Sequence, residues 1–183
     1  MRVIGGRARG TKLRSPSTTE TVPITDRAKE ALFNILYPVM RDSRFLDLFA
    51  GTGGVGIEAL SRGAKHATFI EISGKRFEDL KWNVERTRCK DQATLINADA
   101  FDYVAKCKEK FDIVFVAPPQ WVGMCQKAMD SLSVSTDILE DDGIIITQHN
   151  PIEEVVVDDK IFTEYDKRVY GGVQFNFYRK SKN

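Results

Sequence analysis

The sequence predicts an α/β fold, a mostly parallel sheet with helices on both faces and an antiparallel hairpin at its end. Two observations carry this reading. Between residues 44 and 148, short runs rich in β-branched and aromatic residues alternate with helical patterns, as parallel βαβ units require. After residue 160, two strand-like runs flank Gly171-Gly172, which suits a tight hairpin turn. A chain of 183 residues is long enough to bury one sizeable core.

Each element has a local reason. "MRVIGGRARGTKLRSP" reads as short β-like pieces around Gly-rich turns, and "SPSTTETVP" as a polar linker. Residues 1–24 are therefore expected to form a small basic β extension, and residues 25–183 the main domain. A helix is expected from Thr25, its N-cap, with Asp26 and Glu30 near the start and an apolar stripe of Ala28, Ala31, Leu32, Ile35 and Leu36. Pro38 is expected to end it. "RFLDLFA", "HATFIEI", "QATLINA", "FDIVFVA" and "DGIIITQ" read as strands. "GVGIEALSRG", "GKRFEDLKWNVERTR", "DAFDYVAKCK" and "GMCQKAMDSLS" read as the helices between them, the first stopped by Gly63 and the third capped by Asp99. "KIFTEYDKRVY" and "VQFNFYRK" form the hairpin.

Composition narrows the class. Hydrophobic residues at 42% and charged residues at 29% are ordinary for a soluble globular protein. No apolar run approaches the ~18 residues of a membrane helix. The start lacks the apolar segment of a signal peptide. Cys89, Cys107 and Cys125 form no C-x-x-C pair, which argues against a zinc site or a disulfide framework and fits a reducing cytoplasm. The net charge of +1 is uninformative, but its distribution is not. Arg2, Arg7, Arg9, Lys12 and Arg14 follow one another with no acid between them, an electrostatic footprint for phosphates. On composition alone, a solvated terminus reads equally well.

"DLFAGTGGVGIEAL" is the most informative segment. A strand ends, a turn with Gly51, Gly53 and Gly56 in G-x-G-x-x-G spacing follows, and a helix begins. Nicotinamide, flavin and S-adenosylmethionine proteins all use this turn. Asp47 precedes it, where a carboxylate suits a cationic ligand. Glu71 ends the next strand, where an acid suits two ribose hydroxyls. Asp99 follows the third strand, as a helix cap or an adenine-side contact. The three acids share one sheet edge, where open α/β sheets bind ligands. His66 and His149 are expected at the surface or at strand ends, and Phe77 and Trp82 in the core.

"TDRAKEALFNIL", "FLDLFAGTGGVGIEALSRGA", "FIEIS", "NADAF" and "FDIVFVAPP" resemble, in order and spacing, the RsmD-like methyltransferases, over nearly the whole chain. That bacterial family methylates the exocyclic N2 of a guanine in 16S ribosomal RNA. The resemblance implies a class I, Rossmann-like methyltransferase with a seven-stranded sheet and S-adenosylmethionine as cofactor. Its implied partner is ribosomal RNA or a small-subunit assembly particle; the chain is expected to be a monomer with no metal and no membrane association. It assigns Asp47, Ala50, Gly51, Gly53, Glu71, Ile72, Asp99 and Ala100 to the cofactor. Thr25, Asp26 and Arg27 would lie near cofactor and target base, and Arg2, Arg7, Arg9, Lys12 and Arg14 would hold RNA.

The chain departs from the family in one loop. Where the family usually has Asp or Asn, then Pro-Pro-Tyr, this chain has Ala117, Pro118, Pro119 and Gln120. Guanine N2 is a poor nucleophile because its lone pair is delocalised into the ring. Acceptors aimed at its N–H bonds free that pair and stabilise the charge that builds during transfer. The Pro118 carbonyl and the Gln120 amide are the expected acceptors here, with Pro119 shaping the loop and Trp121 as a stacking face worth roughly 1–3 kcal/mol. Losing one acceptor costs on the order of a hundred-fold in rate, not the whole reaction. Two other readings stand beside this one. A cofactor-binding RNA or assembly protein with little transfer is motivated by Ala117. A nicotinamide oxidoreductase is motivated by the glycine spacing and disfavoured by the lack of a Tyr-x-x-x-Lys pair.

Overall fold

In the computed structural model, which describes residues 1–15, 24–119 and 123–182, the helices are α1 (Asp26–Met40), α2 (Gly54–Ser61), α3 (Gly74–Arg86), α4 (Ala100–Lys106) and α5 (Met124–Val134). The strands are β1 (Arg44–Asp47), β2 (His66–Ile70), β3 (Ala93–Ile96), β4 (Phe111–Val116), β5 (Leu139–His149), β6 (Phe162–Tyr170) and β7 (Val173–Lys180). They form one sheet in the order β3-β2-β1-β4-β5-β7-β6. Neighbours from β3 to β5 are parallel, and β7 runs antiparallel to both β5 and β6. The hairpin around Gly171-Gly172 is present, but β7 slots between β5 and β6, so it alone is reversed.

Two core clusters explain the near-continuous apolar strands. Ile113, Phe115, Ile144, Ile146, Phe175 and Phe177 face one side, where α1, α2 and α3 supply Leu32, Leu36, Ile57, Leu60, Leu80 and Val84. Val114, Val116, Ile145 and Tyr178 face the other, against Val104 of α4 and Ala128, Met129 and Leu132 of α5. The result is a helix–sheet–helix sandwich whose strands bury both faces.

Local signals hold at the helix starts. Thr25 caps α1, its Oγ1 accepting from the Ala28 N–H at 3.1 Å. Asp99 caps α4, its Oδ1 accepting from Phe101 and Asp102 N–H groups at 2.8 and 3.1 Å. Pro38 does not end α1; it lies inside the last turn, and the helix runs on to the buried Met40. A proline there removes a single N–H donor, and burying Met40 offsets that loss. Trp82 is not core: it is 37% exposed, with the Arg14 guanidinium 4.4 Å from its ring centre. Phe77 is partly buried against the core, as expected.

The ladders stop before the apolar runs do. β1, β2, β3 and β4 end at Asp47, Ile70, Ile96 and Val116, two or three residues short in the first three and one in the fourth. Those surplus residues leave the sheet at its carboxyl edge, and several of them become site walls.

Residues 1–15 pack on the face covered by α2 and α3. Arg2 and Lys12 form an antiparallel bridge, and Val3 and Leu13 join the first core cluster. This arm is clamped by groups the sequence did not single out. Glu58, fully buried on α2, accepts from the Ile4 and Gly5 N–H groups at 2.9 and 2.8 Å. Lys29, equally sealed on α1, donates to the Arg2 carbonyl at 2.6 Å. Asn83 of α3 accepts from the Arg14 N–H at 2.8 Å and donates to the Thr52 carbonyl at 2.8 Å, tying the arm to the glycine-rich turn.

Candidate active site

At the carboxyl edge of β1 to β4, the surplus residues enclose about 700 Å³ of empty space, counted to the open mouth. Gly51, Glu71, Ile72, Asp99, Ala100, Ala117 and Pro119 all line it, beside Leu48, Phe49, Ile70, Phe101 and Met124. The walls are largely apolar, and the two acids stand at successive strand ends. Ile72 is 66% exposed, an apolar side chain at the rim with no core to fill.

The turn is built to keep this space open. Gly51 has φ +56°, and a Cβ on it would project into space with nothing within 4 Å. Its N–H donates to Glu71 Oε2 at 2.8 Å, while Glu71 Oε1 accepts from the Ser73 N–H at 2.7 Å. Each Glu71 oxygen keeps a second lone pair for a hydroxyl donor. Asp99 uses only Oδ1 for capping, so Oδ2 and the N–H of Ala100, the first helical residue, have no partner among the described residues. An acceptor and a donor side by side match the 6-amino group and ring N1 of adenine.

Other predicted residues stand behind the wall. Asp47 is 2% exposed and does not line the space; its Oδ2 accepts from the Gly56 N–H at 3.0 Å. Burial pushes its pKa up to about 7, the Gly56 N–H opposes the shift, and the Glu71 charge adds to it. Ala50 and Gly53 support the turn: the Ala50 N–H donates to the Ile70 carbonyl, and the Gly53 N–H to the Ala50 carbonyl, each at 2.8 Å. Gly56 lets the Phe69 ring pack where a Cβ would collide. Pro118 is buried beside Ala117, whereas Gln120 and Trp121 lie outside the described residues.

A second cavity opens further along the same edge, lined by Thr25, Arg27, Ala28 and the β6–β7 turn from Val169 to Val173. Asp26 does not line it; its carboxylate pairs with Arg2 at 2.9 Å, at a surface hollow that Arg9 and Arg27 also line. Arg14 caps Trp82 and reaches Asp79 at 3.4 Å. Arg7, Arg9 and Lys12 line a broad groove together with Arg86 and Arg88, and none of the described residues that line it is acidic. Arg86 and Arg88 had not been singled out, because they sit among acids in the sequence and join the arm only in space.

His66 is a surface residue, its Nε2 2.9 Å from Thr94 Oγ1. His149 ends β5 but is buried, with 1% exposed, Nδ1 on the Asn150 carbonyl and Nε2 without a partner among the described residues. Among the described residues, no group of three or more His, Cys, Asp or Glu could hold a metal, and no helix is long and apolar enough to cross a membrane.

Comparison with known proteins agrees with this architecture. The family model "Conserved hypothetical protein 95" matches residues 1–179. "Ribosomal RNA small subunit methyltransferase D" of Escherichia coli is 33% identical over 180 residues, covering 98% of this chain and 90% of that protein. The solved structure of the Escherichia coli protein yhhF superposes with a TM-score of 0.88 at 32% identity, covering 100% of this chain and 99% of that one. At the level of fold alone, an RNA methyltransferase from Salinibacter ruber in complex with S-adenosyl-L-homocysteine reaches a TM-score of 0.68 at 15% identity, over 88% and 95% of the two chains.

Proposed function

We infer the function from the premise that the chain belongs to the conserved hypothetical protein 95 family, that of small-subunit rRNA methyltransferase D. We propose that it transfers a methyl group from S-adenosylmethionine to the exocyclic N2 of a guanine in small-subunit ribosomal RNA. The observation that carries this reading is the cleft that places Glu71, Asp99, Ala100 and the Ala117–Pro119 loop around one space, in a chain similar to that enzyme from end to end.

The residues suit the cofactor. Glu71 would take the ribose hydroxyls on its spare lone pairs. Asp99 Oδ2 and the Ala100 N–H would take the adenine edge, with Ile72 covering one ring face. Gly51 leaves room for the chain between ribose and amino acid. When bound, the cofactor supplies an electrophilic methyl group on a sulfonium. Ala117 and Pro119 form the cleft wall toward β4, and the Pro118 carbonyl is an acceptor for a target N–H. Prolines hold that loop at fixed φ and add no competing donor. The RNA would lie along the arm, with Arg7, Arg9, Lys12, Arg86 and Arg88 facing phosphates.

Incubation with methyl-labelled S-adenosylmethionine and undermethylated small subunits tests the reading, with naked 16S rRNA in parallel. Label in guanine N2 is expected; no label in either substrate would sink it. One observation favours a second reading, a cofactor-binding assembly protein with little transfer. Ala117 brings no oxygen to the position from which the family aims an acceptor. Robust turnover would end that alternative.

A further inference from the structure

We propose that Gln148, near the end of β5, supplies the hydrogen-bond acceptor that Ala117 cannot, pointing its amide oxygen at the N–H of the methyl-accepting amine. This rests on the reading above that the chain methylates an amino group.

β4 and β5 are parallel, with Phe115 opposite Ile146 and Val116 opposite Thr147. The next pair in that register is Ala117 and Gln148. Side chains alternate along a strand, so the faces follow. Phe115 and Ile146 belong to the first core cluster, and Ala117 packs against it; Gln148, two residues past Ile146, points to that same face. Neighbouring strands lie about 4.8 Å apart, so Gln148 starts one strand away from where an Asp or Asn side chain would start at Ala117. A Gln is one methylene longer than an Asn, which offsets part of that distance.

Ala117 lines the cofactor cleft, and Ala28 and Val173 line the cavity beyond it. Gln148 pairs with Phe175 on β7, and Val173 lies two residues from Phe175 on the same face. Gln148 lines neither space, but it stands near the end of the strand that runs between them.

Gln148 is 9% exposed, and its Oε1 is buried without a hydrogen-bond partner among the described residues. Buried polar atoms are almost always paired, and an orphan acceptor costs free energy. Three side-chain torsions let the oxygen reach the edge without moving the backbone. A carbonyl oxygen has two lone pairs and accepts from an N–H without taking its proton.

The N2 lone pair forms the new N–C bond while the S–C bond of the sulfonium breaks, its electron pair staying on sulfur. The cationic nitrogen then loses one proton to water, since an amide is too weak a base to keep it. Gln148 holds the N–H while positive charge builds, an interaction stronger in the transition state than before it.

Gln148→Met is the test, since it keeps the length of the side chain and removes the oxygen. Expected are a kcat about a hundred-fold lower, unchanged cofactor affinity, and a melting temperature equal to or above wild type, because the orphan is gone. Gln148→Glu keeps an acceptor and is expected to retain most of the rate. Ala117→Asn placed in the Gln148→Met background is expected to restore part of it. Wild-type kcat in Gln148→Met would overturn the proposal alone. A wild-type protein that binds cofactor but transfers no methyl would overturn it together with the reading on which it rests.

Discussion

The Lys29 ammonium stands 3.3 Å from the Glu58 carboxylate, and neither side chain has more than 1% of its surface in water. The pair joins α1 to α2, and both partners also bond the backbone of residues 2–5. Arg62 approaches Glu58 at 2.7 Å, so the carboxylate is satisfied on every side.

Lys29→Met should therefore leave an under-compensated buried charge. Breaking such a pair costs about 3–5 kcal/mol, and the lower end is expected because Arg62 remains. Urea unfolding measures the loss. Trypsin cleavage after Arg7 and Arg9 should also speed up in folded protein, since the Arg2 carbonyl loses its donor. Unchanged stability and cleavage would show that the pair is not a clamp.

Asp47 makes stability depend on pH. Its pKa is about 7 in the folded chain against 3.8 as a free side chain. Below both values it is protonated in both states, so its effect is zero. As pH rises from about 4 to about 7, the unfolded chain releases this proton while the folded chain holds it, so stability falls by roughly 4 kcal/mol at most. Asp47→Asn keeps an acceptor for the Gly56 N–H and does not titrate. The stability difference between the two proteins, from unfolding at several pH values, should shift toward the Asn variant across that window and be flat above it. A pH-independent difference would contradict the assignment.

Gly51 and Gly56 should separate function from packing. Gly56→Ala drives a Cβ into the Phe69 ring and is expected to cost about 1–3 kcal/mol of stability. Gly51→Ala has space for the Cβ but forces φ +56° on an L-residue, about 1–2 kcal/mol, and projects a methyl group into the cleft. Calorimetric titration with S-adenosylmethionine should show the larger loss of affinity in Gly51→Ala even though its stability suffers no more. The opposite ranking would move the cofactor elsewhere.

Arg86 and Arg88 should contribute to RNA binding without touching catalysis. Each phosphate contact adds about 0.7–0.9 to the slope of log affinity against log salt. Replacing both by Ala is expected to lower that slope by roughly 1.5, with cofactor affinity unchanged. A slope equal to wild type would remove these two arginines from the interface.

Much of this molecule is legible locally. Thr25 and Asp99 are caps because short polar acceptors fit helix starts, and both perform that role. The glycine spacing after β1 marks a turn that few other residues tolerate. Pro38 shows the limit of such rules, since one missing N–H did not outweigh the burial of Met40. Trp82 shows another: its size suggested the core, but its place on α3 puts it under Arg14. The Lys29–Glu58 clamp was hidden because both residues are usually solvated, and only their meeting makes burial tolerable.

By itself, the sequence determined the alternation of strands and helices, the glycine-rich turn and the acids that follow the strands, because each depends on periodicity or on a few adjacent residues. Only the tertiary structure decided which acids face the cleft: Glu71 and Asp99 do, while Asp47 turns back to Gly56. It alone set β7 between β5 and β6, joined Arg86 and Arg88 to the arm, and put Gln148 on the strand beside Ala117. The physical reason is that strand order and register are long-range choices, made by burying two faces of a sheet at once, and no local pattern carries them.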